Sequence, residues 1–196
     1  MYTWSTEPGS NPWGPEEPEE GEEAQWPADR IVKYEGDYVD GQKQGVGKIT
    51  LPNGDKYHGQ WSAGKFHGDG TYFYANGNIY SGAWVAGKKQ GEGALVFGKD
   101  RSQLVGEWSD NQLHKGQWVW KDSTSWHGNF KNNKPLGRGV FYFPNGNQQV
   151  GTYVEEGDPE DEEVELKLVW RAEATMKATV AASELLRATP AKAAHK

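Results

Sequence analysis

Several residues whose types can carry out chemistry lie close together in the segment YHGQWSAGKFHGDG, residues 57–70. His58 and His67 are candidates for acid–base catalysis or metal binding, because imidazole does both near neutral pH. The run GKFHGDG has the glycines and the lysine typical of a loop that binds phosphate. Both interpretations depend on the elements that hold these residues, which the rest of the chain predicts.

Segments similar to YHGQW recur along the chain, with starts at positions 34, 57, 80, 104, 126 and 149, that is, every 22 to 24 residues. This periodicity predicts five repeats and the opening strand of a sixth. A glycine lies two positions after each start, and an aromatic residue lies four positions after it. The glycines are Gly36, Gly59, Gly82, Gly106, Gly128 and Gly151, and the aromatic residues are Tyr38, Trp61, Trp84, Trp108, Phe130 and Tyr153.

The first segment of each repeat is predicted to be a β-strand, because offsets zero, two and four lie on one face of a strand. The glycine between two large side chains is expected to leave a slot for a ring from a neighbouring strand. Seven positions after each start, glycine or asparagine predicts a tight turn, since both residues accept positive φ. These turn residues are Gly41, Gly64, Gly87, Asn111 and Asn133.

A second strand is predicted after each turn, because two apolar residues two positions apart follow it. The pairs are Ile49 and Leu51, Tyr72 and Tyr74, Leu95 and Phe97, Trp118 and Trp120, and Phe141 and Phe143. Asn-Gly at 53–54, 76–77 and 145–146 then predicts two-residue hairpin turns. The fourth repeat is irregular, because it is one residue short near His114 and has no Asn-Gly pair.

Hairpins of this kind are marginal alone and stable when stacked side by side. We therefore predict an all-β fold, an elongated single-layer ribbon of antiparallel β-hairpins over residues 34–157. Eleven strands about 4.8 Å apart give a ribbon roughly 50 Å long.

Two tails flank the predicted ribbon. Residues 1–33 are acidic and rich in Pro and Glu, so they are not expected to fold alone. Trp4, Trp13 and Trp26 are candidates to anchor this tail onto the ribbon or a partner. In residues 158–196, an acidic linker is followed by alternating apolar residues, which predict a strand at 164–170 that pairs with the ribbon or with another chain. Helix-forming residues then predict a short helix from Arg171 to Thr189 that orders against a partner.

Within such a ribbon neither chemical interpretation of residues 57–70 holds. GKFHGDG lies between two strands, whereas a phosphate-binding Walker loop joins a strand to a helix. His67 and His114 occupy one structural offset and His58 and His127 another, successive repeats lie about 10 Å apart, and there is no zinc-ligand spacing. The chain has no cysteine, and its ribbon carboxylates are scattered singly. We expect no catalytic residue, no metal site and no cofactor, and therefore no enzyme.

The net charge of −7 belongs to the tails, because residues 1–33 carry −6, residues 158–196 carry −2 and residues 34–157 carry +1. Nucleic acids and anionic membranes require clustered positive charge, so neither is an expected partner. The chain has no apolar run of about 20 residues, as a membrane span needs. Its first residues show neither the basic start nor the apolar core of a secretory signal. We expect a soluble cytoplasmic protein.

The pattern YxGxW, then GK, then HGxG resembles the MORN repeat, and the resemblance covers residues 34–154. Proteins with MORN repeats include scaffolds, membrane-junction proteins and domains attached to lipid kinases or methyltransferases. The last repeat, FKNNKPLGRGVFYFPNGNQQVGTY (130–153), an acidic run, and LKLVWRAEAT (166–175) resemble the end of the MORN array in radial spoke head proteins of motile cilia and flagella, of the spoke protein 1 and 10 type.

This resemblance implies a non-catalytic scaffold of the ciliary axoneme, a radial spoke head subunit that helps to transmit signals between the central pair and the dynein arms. Its implied partners are other spoke head proteins, itself or a MORN paralogue, and the central pair apparatus. The alternative is a MORN-type phospholipid-binding tether at a membrane junction.

An exposed aromatic face is typical of a protein-binding surface. We expect its inner rings to form the core of the ribbon and its outer rings to line a groove for a partner. The residues of this aromatic face are Tyr34, Tyr38, Tyr57, Trp61, Tyr80, Trp84, Trp108, Trp118, Trp120, Trp126, Phe130 and Tyr153.

Overall fold

The computed structural model of the chain describes residues 33–156 and 167–177. In these two ranges the chain forms β-strands and no helix. Twelve strands lie in one antiparallel sheet in chain order, so the predicted all-β hairpin ribbon is confirmed. They are β1 (Lys33–Val39), β2 (Gln42–Thr50), β3 (Lys56–Ser62), β4 (Lys65–Phe73), β5 (Ile79–Val85), β6 (Lys88–Val96), β7 (Gln103–Ser109), β8 (Gln112–Val119), β9 (Ser125–Lys131), β10 (Lys134–Tyr142), β11 (Gln148–Glu156) and β12 (Lys167–Met176).

Two-residue turns close the hairpins at the predicted glycine and asparagine positions. In the β3–β4 turn, both Ala63 (φ 49°) and Gly64 (φ 78°) have positive φ, and Ser62 pairs with Lys65 across the turn. Two positive φ angles define the type I′ turn, whose twist matches that of the strands it joins. The same pair of positive φ angles occurs in the β1–β2, β5–β6, β7–β8 and β9–β10 turns.

The Asn-Gly pairs do not form two-residue turns, and that prediction was wrong. Leu51 and Asp55 pair through a backbone hydrogen bond of 2.8 Å and enclose a three-residue loop. Gly54 (φ 93°) is the last residue of this loop and donates its N–H to the Leu51 carbonyl at 3.0 Å. Pro52 and Asn53 therefore form an ordinary turn, and the glycine is needed one residue later than the two-residue pattern places it. The loops at 75–77 and 144–146 repeat this arrangement.

Beside Gly36, Gly59, Gly82 and Gly128 the slot is filled by a ring of the same strand, which corrects the prediction of a neighbouring ring. The ring of Tyr57 lies across Gly59 and its cross-strand partner Gly70. A methyl group on Gly59 would be 2.5 Å from the Tyr57 hydroxyl oxygen, so both glycines are required by this close approach. At the end of the sheet, Gly151 is covered by a ring of the neighbouring strand, that of Trp170.

The fourth repeat is irregular at the place that its sequence predicts. In the regular β3–β4 hairpin the register shifts after Gly59, so that Gly68 and Asp69 form a bulge. In the β7–β8 hairpin the shift passes over His114 alone. The missing residue therefore shortens a β-bulge and leaves the strand pairing on both sides of it intact.

The C-terminal segment contributes β12, which pairs with β11 and extends the sheet. A strand was predicted in this segment with either the ribbon or another chain as its partner, and the ribbon is its partner. The predicted helix was wrong over Arg171–Met176, because these residues continue β12. Residues 178–189 of the predicted helix, the acidic linker, residues 164–166 of the predicted strand and the N-terminal tail up to residue 32 lie outside the described residues.

Candidate protein-binding face

Most of the predicted aromatic face is buried by the ribbon itself. Tyr34 and Trp120 are partly buried, and Tyr38 is 57% exposed. The other nine residues are at most 5% exposed and form the core of the sheet, so they are not accessible to a partner. These nine are Tyr57, Trp61, Tyr80, Trp84, Trp108, Trp118, Trp126, Phe130 and Tyr153.

The core rings form a ladder of edge-to-face contacts from one repeat to the next. The ring of Tyr80 contacts Trp84 of its own strand at a centroid distance of 5.2 Å and Trp108 of the next repeat at 5.1 Å. The indole N–H of Trp84 donates to the Gly70 carbonyl of the preceding hairpin at 3.2 Å. The first four repeats are joined in this way, each to the next by a ring contact and an indole hydrogen bond, and such contacts add to simple area burial.

A row of five apolar side chains lies at one edge of this face, and four of them are partly accessible. Each residue follows an even-numbered strand directly, at the start of the longer loops, and successive residues lie two strands, or about 9.6 Å, apart. Four of them are partly buried and Phe97 is buried. We call these residues the outer row: Leu51, Tyr74, Phe97, Trp120 and Phe143.

The flattest part of the outer row lies in the last two complete repeats. Trp118 and Trp120 stack with centroids 4.7 Å apart and an interplanar angle of 22°. Trp120 stacks on Phe141 at 5.8 Å and 26°, and Phe141 on Phe143 at 6.0 Å and 19°. These four nearly parallel rings form a continuous platform, of which Trp120 and Phe143 are the accessible edge.

A set of residues nine positions after each start packs over the aromatic face and was not predicted. Phe66 stacks on Tyr57 at 3.9 Å. Lys89 is 6% exposed and lies over the rings of Tyr80 (5.6 Å) and Trp108 (5.8 Å) in cation–π contacts. Their shared offset is the signal that could have revealed them, although their residue types differ. The set is Lys43, Phe66, Lys89, Leu113 and Pro135.

The longer loops beside the outer row are bonded to one another. The carboxylate of Asp55 accepts hydrogen bonds from the backbone N–H of Ala75 and from the Tyr72 hydroxyl, both at 2.7 Å. In the next loop, the Asn78 side chain accepts from the N–H of Gly98 at 3.0 Å. These side chains are buried, so they fix the spacing of the first three longer loops and of the outer-row residues that begin them.

Positive charge at this edge of the sheet lies in two adjacent loops. Lys99 and Arg101 lie in the loop after Phe97, and Lys121 lies in the loop after Trp120; all three are exposed. The acids of the same loops are engaged by backbone, because Asp100 accepts from the N–H of Ser102 and Asp122 from that of Thr124, both at 2.9 Å. The other three loops carry no basic residue.

The histidines do not come together. His58 and His67 are exposed on the two strands of the β3–β4 hairpin, and His114 is exposed in the β7–β8 hairpin. Burial lowers the pKa of His127, whose Nε2 lies 2.9 Å from the Ser125 hydroxyl oxygen. Among residues 33–156 and 167–177, no group of three or more His, Asp or Glu side chains could hold a metal ion. The same part of the chain contains no helix long and apolar enough to span a membrane.

A family model of the MORN repeat matches residues 34–56, 57–79, 80–99 and 126–148. The chain contains MORN repeats. The unmatched stretch between the third and fourth matches contains most of the irregular repeat, with its shortened bulge at His114 and its loop without Asn-Gly. MORN repeats are non-enzymatic binding and scaffold repeats, and their presence indicates a scaffold that binds protein or membrane.

No curated protein matches the chain. Among solved structures, the chain is similar to the SAS-4 (dCPAP) TCP domain in complex with a proline-rich motif of Ana2 (dSTIL) of Drosophila melanogaster. The sequence identity is 17% and the TM-score is 0.41, over 74% of this chain and 75% of that chain.

Proposed function

We propose that this MORN ribbon is a non-catalytic scaffold that binds other proteins through its outer row. The observation that supports the proposal is the single-layer sheet, whose aromatic face carries Trp120, Phe143 and other large rings that remain partly accessible. Partly exposed Trp and Tyr side chains contribute strongly to protein–protein binding energy. Stacking against Trp118 and Phe141 holds these rings in place, which reduces the entropy that a partner's binding must overcome.

We further propose that the chain is a radial spoke head subunit of the ciliary axoneme. Support comes from the resemblance of residues 130–153 and 166–175 to the end of the array in spoke head proteins. In the sheet, these two segments are adjacent, because β12 pairs with β11 and Trp170 contacts Phe141 at 4.9 Å. Its partners would then be other spoke head proteins, a second copy or a MORN paralogue, and the central pair apparatus, and its role would be to pass signals toward the dynein arms.

Fractionation of axonemes tests this proposal. The tagged chain is expressed in ciliated cells, and isolated axonemes are washed with high salt and cross-linked. We expect the chain to remain with the spoke head and to cross-link to named spoke head proteins from Lys99 and Lys121, which flank the outer row. Lys65, which is exposed at the opposite edge, is the control position. Absence of the chain from axonemes would contradict the spoke head proposal and leave the scaffold fold unaffected.

A phospholipid tether is the alternative, and the lysines of the first hairpins favour it. Lys33, Lys48 and Lys56 are exposed near one another. Glu35 already contacts Lys33 at 2.8 Å and Lys48 at 2.7 Å, and these bonds lower the pKa of Glu35 to about 2. The cluster is therefore partly neutralised. Salt-sensitive co-sedimentation with phosphatidylserine vesicles, lost on Lys48→Glu and Lys56→Glu, would establish the tether and contradict a scaffold that binds protein alone.

A further inference from the structure

The sequence PWGPEEP, residues 12–18, has a proline at every third position: Pro12, Pro15 and Pro18. Proline fixes φ near the value of the polyproline II helix, which has three residues per turn and a rise of about 3.1 Å per residue. In that helix these three prolines would share one edge, about 9.3 Å apart. This period closely matches the spacing of about 9.6 Å between successive residues of the outer row.

From this match we infer that residues 12–18 bind in cis to the outer row as a polyproline II segment. The inference rests on the proposed function, since it supplies a partner for the same surface. Aromatic-lined grooves are the usual acceptors of such segments, because flat rings pack against proline rings and the helix loses little entropy on binding. The platform of Trp118, Trp120, Phe141 and Phe143 is the part of the ribbon with parallel, accessible rings.

The length of chain before β1 fixes the direction of the segment. Pro18 lies fifteen positions before Lys33, and fifteen residues reach at most roughly 50 Å. Phe97 follows β6, about 24 Å from β1, whereas Phe143 follows β10, about 43 Å from β1. Placing Pro18 over Phe97 leaves ample chain, whereas placing it over Phe143 nearly exhausts the reach. Pro15 is thus assigned to Trp120 and Pro12 to Phe143, and Pro18 lies beside the loop that follows the buried Phe97.

Charge supports the same register independently. In it, Glu16 and Glu17 lie between Trp120 and Phe97, which are the residues that begin the two loops with basic side chains. Lys99, Arg101 and Lys121 are exposed in these loops. The reversed register would place the two glutamates between Trp120 and Phe143, beyond the loop that carries Lys99 and Arg101.

Nitroxide labels read out this docking directly, since the chain has no native cysteine to interfere. Ser10→Cys and Ala24→Cys are labelled one at a time in the full chain, and paramagnetic broadening of backbone amides is measured by NMR. The label at position 10 should remove signal from the loop at 144–146 and from β12, and spare the loop at 52–54. The label at position 24 should affect the loops at 52–54 and 75–77 instead.

Substitutions in the tail test the proline period without risk to the fold. Replacing Pro12, Pro15 and Pro18 with Ala should abolish the selective broadening. Pro8→Ala is the matched control, because Pro8 lies outside the three-residue period, and should leave the broadening unchanged. Charge reversal at Arg101 and Lys121 should weaken the effect, and Lys65→Glu should not. Broadening that is equal in the triple variant and the native chain would overturn the inference.

A mixture of labelled chains with isotope-enriched unlabelled chains separates docking in cis from exchange between copies. Selective broadening of the enriched, unlabelled chains in this mixture would mean that a second copy donates the segment, which contradicts docking in cis; unchanged spectra are expected. The proposed function is tested separately, because these spectra use the isolated protein. A chain that cross-links to spoke head proteins but shows no selective broadening refutes the docking alone. Selective broadening in a chain absent from axonemes refutes the spoke head proposal alone.

Discussion

One tyrosine side chain has two structural roles in each regular repeat. The ring of Tyr57 covers Gly59 and Gly70, and its hydroxyl donates to the Gln60 carbonyl at 2.9 Å. Tyr80 repeats this arrangement over Gly82 and Gly93. Where the fifth repeat has Trp126 instead, the ring still covers two glycines, but the buried indole N–H has no hydrogen-bond acceptor. Covering the glycines is therefore the more general of the two roles.

Removing a core ring should destabilise the fold strongly. Trp61 is 4% exposed and contacts Tyr57 and Phe66, so Trp61→Ala should lower the free energy of unfolding by about 3–5 kcal/mol. Urea denaturation followed by circular dichroism measures this loss. Tyr38→Ala is the matched control, because Tyr38 has the same offset but is 57% exposed. A loss at position 61 as small as that at position 38 would contradict the assignment of Trp61 to the core.

Burial of the tyrosine hydroxyls predicts a loss of stability at high pH. Desolvation raises the pKa of Tyr57 to about 12, and it also raises the pKa of Tyr80. The unfolded chain ionises at the ordinary value near 10, so it releases protons first as the pH rises. The stability that these groups contribute is full below pH 10 and decreases between about 10 and 12.

Denaturation at a series of alkaline pH values, followed by tyrosinate absorbance, measures this effect. Tyr57→Phe should reduce the decrease in stability with pH, because Phe has no hydroxyl to ionise. An unchanged pH slope in this variant would show that other groups cause the decrease.

The two edges of the sheet use different turns, and each turn has its own residue requirement. Type I′ turns need positive φ at both residues, which Gly64 meets without strain and Ala63 meets at a steric cost. The three-residue loops need it at the last residue only. In the fourth repeat, Ser123 (φ 67°) occupies the place that Gly54, Gly77 and Gly146 occupy in other repeats.

Restoring this glycine should stabilise the ribbon. Ser123→Gly removes a positive-φ side chain, and we expect a gain of up to about 1 kcal/mol in the free energy of unfolding. The reciprocal change, Gly146→Ser (φ 81°), should cause a loss of similar size. Thermal denaturation of the two variants checks both signs. A loss on Ser123→Gly would mean that the Ser123 side chain makes a compensating interaction.

The ribbon as a whole is one layer thick, and its strands pack mainly on their neighbours in the sheet. In such a fold stability is nearly a sum of repeat and interface contributions. Its weakest interface should therefore determine where unfolding begins. The fourth repeat, with its shortened bulge and strained loop, is the candidate for that interface.

A truncation in this repeat should divide unfolding into two steps. Leu113 is fully buried at the start of β8, so Leu113→Ala should open β7–β9 before the outer repeats. Hydrogen exchange should then show faster exchange in β7–β9 and unchanged protection in β2–β4. Val46→Ala, at a 62% exposed position, is the control and should leave all rates unchanged. A uniform increase along the ribbon would indicate a single cooperative unit.

Periodicity predicted the hairpins, their order and their buried face, because each residue at offsets zero, two and four has the same neighbours in every repeat. It predicted that inner rings of this face form the core, but not which of the twelve rings are buried, since exposure depends on three-dimensional packing. The residues nine positions after each start were not predicted, because their types differ. Phe66 packs on the aromatic face by ring stacking, whereas Lys89 does so by cation–π contacts. The helix predicted from Arg171 failed over Arg171–Met176 because local propensity was overridden by pairing with β11.

Because the strands lie side by side in chain order, the length of the ribbon is set by the number of its repeats. Every added or deleted unit of about 23 residues would change its length by about 9.6 Å and leave both ends chemically as they were. Components attached at β1 and at β12 are thus held at a separation that is counted in whole units. Related chains with more or fewer copies would set larger or smaller gaps between the same two attachments.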